Sequence, residues 1–406
     1  MSLSTLKSKF IDFLFKAVCR FFRMVTPIRD RVLIVSHSKI EDNAVEMANY
    51  LAENYDFKIG LMLSDKDLKS VKNLKHKIHP TVSFYCFPGL KPFRPESFRQ
   101  LFGSKYILFT QLLYPFDRYL KNQITVNLWH GVGHKKINTA RGYKQGVPAD
   151  YTIATSKMTQ KMFADLFANP IETVFIGGMP RNDLMLRTKD SEFNFDQKTG
   201  LNGYDRIIIW MPTFRRKVSE STAGQTVISE TDNIFGIDSF DTERFNQMLK
   251  QHNSLCVVKS HYYVDEYKKQ QELSNFLFIN DNWLYEHGIL LYELLSKTAA
   301  LITDYSSVMT DYSLLDQPIF VIAEDIEDYK KSQGLYFEDY ENWVPSKLFL
   351  SQNELFEAVR LFLEDGDDKF AEKRRKICDL YYQYKDDKSA ERISEFIFKD
   401  KQSLYN

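Results

Sequence analysis

The stretch "LITDYSSVMTDYSLLDQPIFVI", residues 301–322, folds a strand, a turn, a helix and a second strand into one short span. Leu301-Ile302 closes an apolar run and Asp304-Tyr305 turns it. Ser306 and Ser307 open a helix carrying Val308, Met309, Tyr312 and Leu315, and Pro318 stops that helix before the next apolar run. A hydroxyl beside unpaired backbone N–H groups, at the positive end of a helix dipole, suits a phosphate. The plainer alternative is a serine N-cap. Asp311, one turn beyond Ser307 on the same face, can hold a ribose hydroxyl or simply be solvated.

The same alternation extends outward in both directions. Short apolar runs of strand length occur at 31–37, 58–63, 105–110, 124–129, 151–155 and 173–177, with helical patterns between several of them. After a polar, glycine-containing stretch at 187–204, the runs restart at 206–212, 255–261, 276–279, 299–304 and 318–324. Strands alternating with helices predict parallel, doubly wound sheets. The fold class is therefore α/β, with two Rossmann-like domains facing across a cleft. The expected division is an N-terminal helix (1–29), a first domain (30–186), a linker (187–204), a second domain (205–366) and a C-terminal helical segment (367–406). Residues 217–238 are polar and turn-rich and read as a long loop.

Ligands in such sheets sit beyond the carboxyl ends of the strands, so those ends are where chemistry is sought. "WMPTFRR" ends one strand with Thr213, Arg215 and Arg216, and adjacent arginines beside a hydroxyl suit bidentate phosphate binding as well as a solvated loop. "KSHYY" presents Lys259 and His261 in the same way. "GGMPRND" closes the first domain with Gly177, Gly178, Arg181, Asn182 and Asp183, a tight turn next to a cation. "LWHGVGHKKI" ends another strand with His130, Gly131, Lys135 and Lys136. Gly131 permits close backbone approach, the lysines add positive charge, and His130 can accept a proton near neutral pH. A structural histidine is the plainer alternative. His130 and His134 are spaced for a metal, but no carboxylate partner or HExxH accompanies them, so no metal is expected.

Bulk composition narrows the classes further. The chain has 406 residues, 44% of them hydrophobic, enough for two cored domains. Its formal net charge is zero, which argues against electrostatic binding of nucleic acid by the whole molecule. Cys19, Cys86, Cys256 and Cys378 are scattered without a CxxC pair and read as free thiols. No run is long and apolar enough to span a membrane, and no leader-cleavage pattern is seen. The first segment is nevertheless distinctive. Leu6, Phe10, Phe13, Leu14, Ala17, Phe21 and Met24 recur at helical spacing among Lys7, Lys9, Lys16, Arg20 and Arg23. A basic amphipathic helix of this kind suits an anionic membrane surface, or alternatively packs on the protein itself.

Taken in order, "LWHGVGHKKI", "GGMPRND", "WMPTFRR", "KSH", "LITDYSSVMTDYSLLDQPIF" and "GLYFEDYENWVP" (334–345) resemble the successive motifs of the CDP-glycerol glycerophosphotransferase family, the teichoic-acid primases and polymerases. The resemblance covers about 124–360. It implies a GT-B-like fold and work at the cytoplasmic face of the membrane, to which the basic helix would attach it as a peripheral protein. Protein cations at the donor phosphates can take the place of a metal ion, so no cofactor is expected. It implies a CDP-alditol donor, CDP-glycerol or CDP-ribitol, whose alditol phosphate moves to a hydroxyl of a lipid-linked or polymeric acceptor in teichoic acid or capsule synthesis, with release of CMP. It further implies His130 as the base, His261 at the donor phosphates, and Ser306 and Ser307 at the pyrophosphate. Two stretches depart from the family form: Val132-Gly133-His134 replaces Thr-Pro-Leu before the paired lysines, and Tyr262-Tyr263 replaces Pro-His after His261. A GT-B glycosyltransferase using a nucleotide sugar and an inactive membrane-bound nucleotide-binding scaffold are the alternatives. The alditol, the acceptor and the oligomeric state are not legible in the chain.

Overall fold

The computed structural model describes residues 3–36, 39–113, 115–134, 147–191, 195, 197–213, 216–220, 226–230, 235, 237, 239–259, 273–332 and 334–399. The chain forms an α/β fold with two parallel sheets and divides into two compact units. The first comprises Met1–His130, Arg141–Leu184 and Asp386–Asn406, and the second Gly131–Ala140 and Met185–Lys385.

Seven parallel strands build the first unit: β1 (Arg29–Val35), β2 (Lys58–Leu63), β3 (Ser83–Cys86), β4 (Ser104–Phe109), β5 (Ile124–Asn127), β6 (Tyr151–Ala154) and β7 (Val174–Ile176), in the order β3-β2-β1-β4-β5-β6-β7. The order reverses between β1 and β4, so a crevice is expected beyond the carboxyl ends of those two strands. Both faces of the sheet are covered, which is why Val32, Leu33 and Ile34 are all fully buried and the strand reads as a continuous apolar run rather than an alternating one.

The second unit carries β8 (Arg206–Met211), β11 (Ser254–Lys259), β12 (Phe276–Ile279), β13 (Ala300–Thr303), β14 (Ile319–Ile322) and β15 (Leu348–Phe349) in a parallel sheet ordered β12-β11-β8-β13-β14-β15. Its reversal lies between β8 and β13. Trp210 of β8 anchors the core, with the rings of Phe235, Phe240 and Phe245 at 4.8, 5.0 and 5.9 Å. The long loop expected over 217–238 is instead interrupted by a two-stranded antiparallel ladder, β9 (Arg216–Glu220) with β10 (Thr226–Glu230).

The first described helix, Leu3–Val25, lies on the first unit through Phe15, Cys19 and Phe22. Phe22 stacks on Phe98 at 5.0 Å, and Phe15 meets Phe116 at 5.6 Å. Its other face leaves Phe10, Phe13, Phe21 and Met24 exposed. No described helix is long and apolar enough to cross a membrane. The last described helix, Ser389–Ile397, returns to the first unit, where Phe396 stacks on Phe175 at 4.0 Å and Phe398 sits against Phe57 at 4.9 Å.

Candidate active site

In the first unit, β5 runs into Leu128, Trp129 and His130, and the backbone there is strained. Trp129 has φ 54° and Gly131 φ 135°, the former a left-handed conformation that a bulky side chain resists by about 1–2 kcal/mol. The strain is held by named bonds. Asn127 Oδ1 accepts the Trp129 N–H at 3.0 Å, and the Trp129 carbonyl accepts from Asn43 Nδ2 at 2.9 Å. Asn43 Oδ1 in turn accepts the Arg181 N–H at 3.0 Å, and Arg181 Nη1 donates to the His130 carbonyl at 2.7 Å. One asparagine thus ties the helix Asp42–Asn54 and the helix Pro180–Lys189 to the turn that carries His130.

The His130 ring lies 4.2 Å from the Trp129 ring, and its Nδ1 is 3.1 Å from the Thr110 carbonyl. A carbonyl only accepts, so in the neutral ring Nδ1 carries the proton and Nε2 keeps its lone pair. Solvent reaches the ring, yet surrounding protein withholds bulk hydration, and this desolvation is the largest influence on it. It lowers the pKa from 6.5; Arg181 and Lys39 push the same way, while Glu41 and the Thr110 carbonyl oppose them. His130 is therefore neutral at pH 7, with Nε2 able to take a proton.

The rest of "GGMPRND" is explained by the C-terminal helix. A Cβ on Gly178, which has φ +93°, would lie 2.3 Å from Ser389 Oγ, and one on Gly177 would lie 2.7 Å from Ile393 Cγ1. Asp183 accepts the Ser389 and Ala390 N–H groups at 2.9 and 2.8 Å, capping that helix. Burial overrides these bonds and raises the carboxyl pKa to about 7, with Glu46 adding to the rise. Asn182 is buried, and its N–H donates to the Met179 carbonyl.

In the second unit, β8 and β13 deliver the phosphate-site candidates at the reversal of the sheet. Both oxygens of Asp304 accept the Thr213 N–H, at 2.9 and 2.8 Å, and Oδ1 also accepts the Tyr305 N–H at 2.6 Å. Thr303 Oγ1 donates to the Met211 carbonyl at 2.8 Å, a second link between the same strand ends. Ser306 and Ser307 follow, both partly exposed, at the start of Val308–Tyr312. Ser307 makes no side-chain cap bond, so its hydroxyl is not the plain N-cap that its position suggests. Thr213, Ser306 and Ser307 are thus brought together. Two other candidates are engaged elsewhere in the unit. Lys259 is buried and pairs with Asp281 at 2.9 Å. Asp311, fully buried, accepts from the Tyr292 hydroxyl at 2.5 Å and from the Tyr382 hydroxyl. His134 lies in a cage of Phe337, Tyr340 and Tyr381, and the Tyr381 hydroxyl is 3.2 Å from Nδ1.

Lys135, Lys136, Arg215 and His261 lie outside the described residues, and Arg216 is described only as backbone of β9. Among the described residues, no group of three His, Cys, Asp or Glu side chains is placed to hold a metal ion. Sequence reasoning missed Asn43, Thr110 and Asp304 as organisers of the site. Asp304 directly follows β13 and Asn43 opens the helix after β1, and that placement was their only signal.

The sequence model of one family, CDP-Glycerol:Poly(glycerophosphate) glycerophosphotransferase, matches residues 19–399. The chain is 27% identical over 303 residues to the teichoic acid ribitol-phosphate polymerase TarL of Staphylococcus aureus, covering 69% of this chain and 49% of that protein. It is 22% identical over 419 residues to a teichoic acid ribitol-phosphate primase of Bacillus spizizenii, covering 97% of this chain and 98% of the primase. The chain thus spans about half the length of the staphylococcal polymerases TarL and TarK, 49% and 53%, and nearly all of the primase. Among solved structures, the wall teichoic acid polymerase TagF superposes with a TM-score of 0.73 at 19% identity, covering 98% of this chain and 96% of TagF, a likeness of fold.

Proposed function

Because the chain belongs to the CDP-glycerol:poly(glycerophosphate) glycerophosphotransferase family, we propose that it transfers an alditol phosphate from a CDP-alditol, CDP-glycerol or CDP-ribitol, to a hydroxyl of a lipid-linked or polymeric acceptor in teichoic acid or capsule assembly. We take the two units as the acceptor and donor halves of a GT-B-like enzyme. The observation that carries the chemistry is the His130 ring, neutral near pH 7, with Nδ1 bound to the Thr110 carbonyl and Nε2 left as the acceptor.

In this mechanism Nε2 of His130 takes the proton of the acceptor hydroxyl. The acceptor oxygen bonds to the distal phosphorus of the CDP-alditol, the bond from that phosphorus to the bridging oxygen breaks, and CMP leaves with the electron pair. Arg215, Arg216 and His261 neutralise charge on the donor phosphates, Thr213, Ser306 and Ser307 donate hydrogen bonds to them, and Lys259 stays paired with Asp281. Positioning and electrostatic stabilisation are the expected content of phosphoryl transfer. Gly131, Lys135, Lys136, Arg181 and Asn182 shape the acceptor side.

The exposed Phe10, Phe13, Phe21 and Met24, with Lys and Arg between them, support peripheral attachment to an anionic membrane surface, which we assign to the cytoplasmic face. The test is incubation of the purified chain with CDP-glycerol, CDP-ribitol and nucleotide sugars, reading the freed nucleotide by mass. CMP release from a CDP-alditol is expected. UDP or GDP release from a sugar donor, with no CMP, overturns the proposal.

A further inference from the structure

If His130 accepts a proton, it becomes a cation as the new bond forms, and Arg181 and Lys39 both disfavour that cation. A compensating group lies two strands away. Glu41 is the N-cap residue of Asp42–Asn54 and is 5% exposed. Ser36 Oγ accepts its N–H at 3.2 Å, and its Oε1 accepts from Gln111 Nε2 at 3.0 Å. Its Oε2 is buried and makes no hydrogen bond among the described residues. Gln111 directly follows Thr110, whose carbonyl holds His130 Nδ1. Since β1, β4 and β5 are neighbours in the sheet, the turns bearing Glu41, Gln111 and His130 leave it side by side.

We propose that Glu41 is the positioning residue for His130: its buried carboxylate is the counter-charge for the imidazolium formed during transfer, and its bond to Gln111 sets the Thr110 carbonyl that orients the ring. This rests on the transfer reading above. Glu41 sits at the positive end of the Asp42–Asn54 helix dipole. Lys39 follows β1 in the same turn, and its carbonyl accepts from Ser36 Oγ at 2.5 Å. Arg181 comes from Pro180–Lys189 and is anchored on the His130 carbonyl. Asp42 and Glu46 are buried on the helix that Glu41 caps, and Asp183 is committed to Ser389 and Ala390. Of these groups, Glu41 is the acid whose charge raises the ring's affinity for a proton.

The test compares wild type with Glu41→Gln and Glu41→Asp by two readouts: ring-proton NMR titration of His130, assigned with His130→Ala, and the pH profile of CMP release. Gln keeps the shape and the bond to Gln111 but lacks the charge. Glu41→Gln should move the ring midpoint and the acid limb of the profile down by about 0.5–1 pH unit. It should also lower kcat about tenfold with donor KM nearly unchanged. Glu41→Asp should restore both midpoints toward wild type. An unchanged midpoint in Glu41→Gln, or equal losses in both variants with no shift, overturns the proposal in favour of a purely structural role. The titration needs no donor: wild type that fails to release CMP overturns the transfer reading, while a shifted ring in Glu41→Gln still supports the pairing.

Discussion

Asp304 holds the backbone N–H of Thr213 between its two carboxylate oxygens, at 2.9 and 2.8 Å. The bond spans 91 residues of sequence and joins the ends of β8 and β13, where the strand order of the second sheet reverses. It fixes Thr213 on the residue that lies two positions before Ser306.

Replacing Asp304 with alanine frees the turn after Pro212 and leaves the Thr213 N–H without its acceptor. We expect donor KM to rise up to about tenfold, in keeping with the ~0.5–1.5 kcal/mol net worth of one intramolecular hydrogen bond. CMP-release kinetics check it; an unchanged KM separates the turn from donor binding.

His130→Ala should lower turnover by about 10²–10⁴-fold, the usual worth of a general base, while the far-UV spectrum and melting temperature stay close to wild type. Because desolvation holds the ring's pKa below 6.5, wild-type kcat/KM should fall only as pH drops beneath that value. Near-normal CMP release by the variant removes His130 from the reaction.

Gly178→Ala forces a Cβ to within 2.3 Å of Ser389 Oγ at a backbone φ of +93°. The C-terminal helix must shift, and a loss of about 2–4 kcal/mol is expected from the clash and the strain together. Denaturant unfolding measures it, and limited proteolysis should cut first near 384–389. A variant as stable as wild type would show that the helix docks less tightly than these distances imply.

Asp183 gives a pH-dependent version of the same attachment. Burial raises its folded pKa from the ordinary 3.8 to about 7. A raised carboxyl means the folded state binds the proton more tightly, so its contribution is fullest below 3.8 and is lost as pH rises through about 7. Asp183→Asn removes this titration. The stability difference between wild type and variant should therefore move against wild type between pH 4 and pH 7.5, by at most about 4 kcal/mol. Thermal melts across that range test the sign.

The exposed face of Leu3–Val25 can be tested without disturbing the buried one. Removing the whole helix would also uncover Phe98 and Phe116, so Phe10→Ser with Phe13→Ser is the cleaner change. Each buried Phe is worth roughly 1.5–3 kcal/mol, so affinity for anionic vesicles should fall at least about tenfold while CMP release in detergent persists. Unaltered sedimentation with vesicles would refute membrane attachment through this face.

The strands were legible because parallel strands covered on both faces appear as unbroken apolar runs, as in Ile319–Ile322 and Ser254–Lys259. The ladder of β9 and β10 was not, since "RKVSE" and "TVISE" carry too few apolar residues to stand out from a polar loop. Within the site, His130 and the serines were visible as chemistry-bearing groups at strand ends. The actual partners of Asp183 and Asp311 were not, because each is set by tertiary packing: the Ser389 N–H lies 206 residues from Asp183, and the Tyr382 hydroxyl lies 71 from Asp311.

The return of Ser389–Ile397 to the first unit has a consequence for biogenesis. As the ribosome releases the chain, β1 to β7 emerge early, but the surface formed by Gly177, Gly178 and Phe175 stays uncapped until all of β8 to β15 has been made. The first unit is completed only after the second has been synthesised, and a nascent chain stalled before residue 389 would present that bare surface to chaperones.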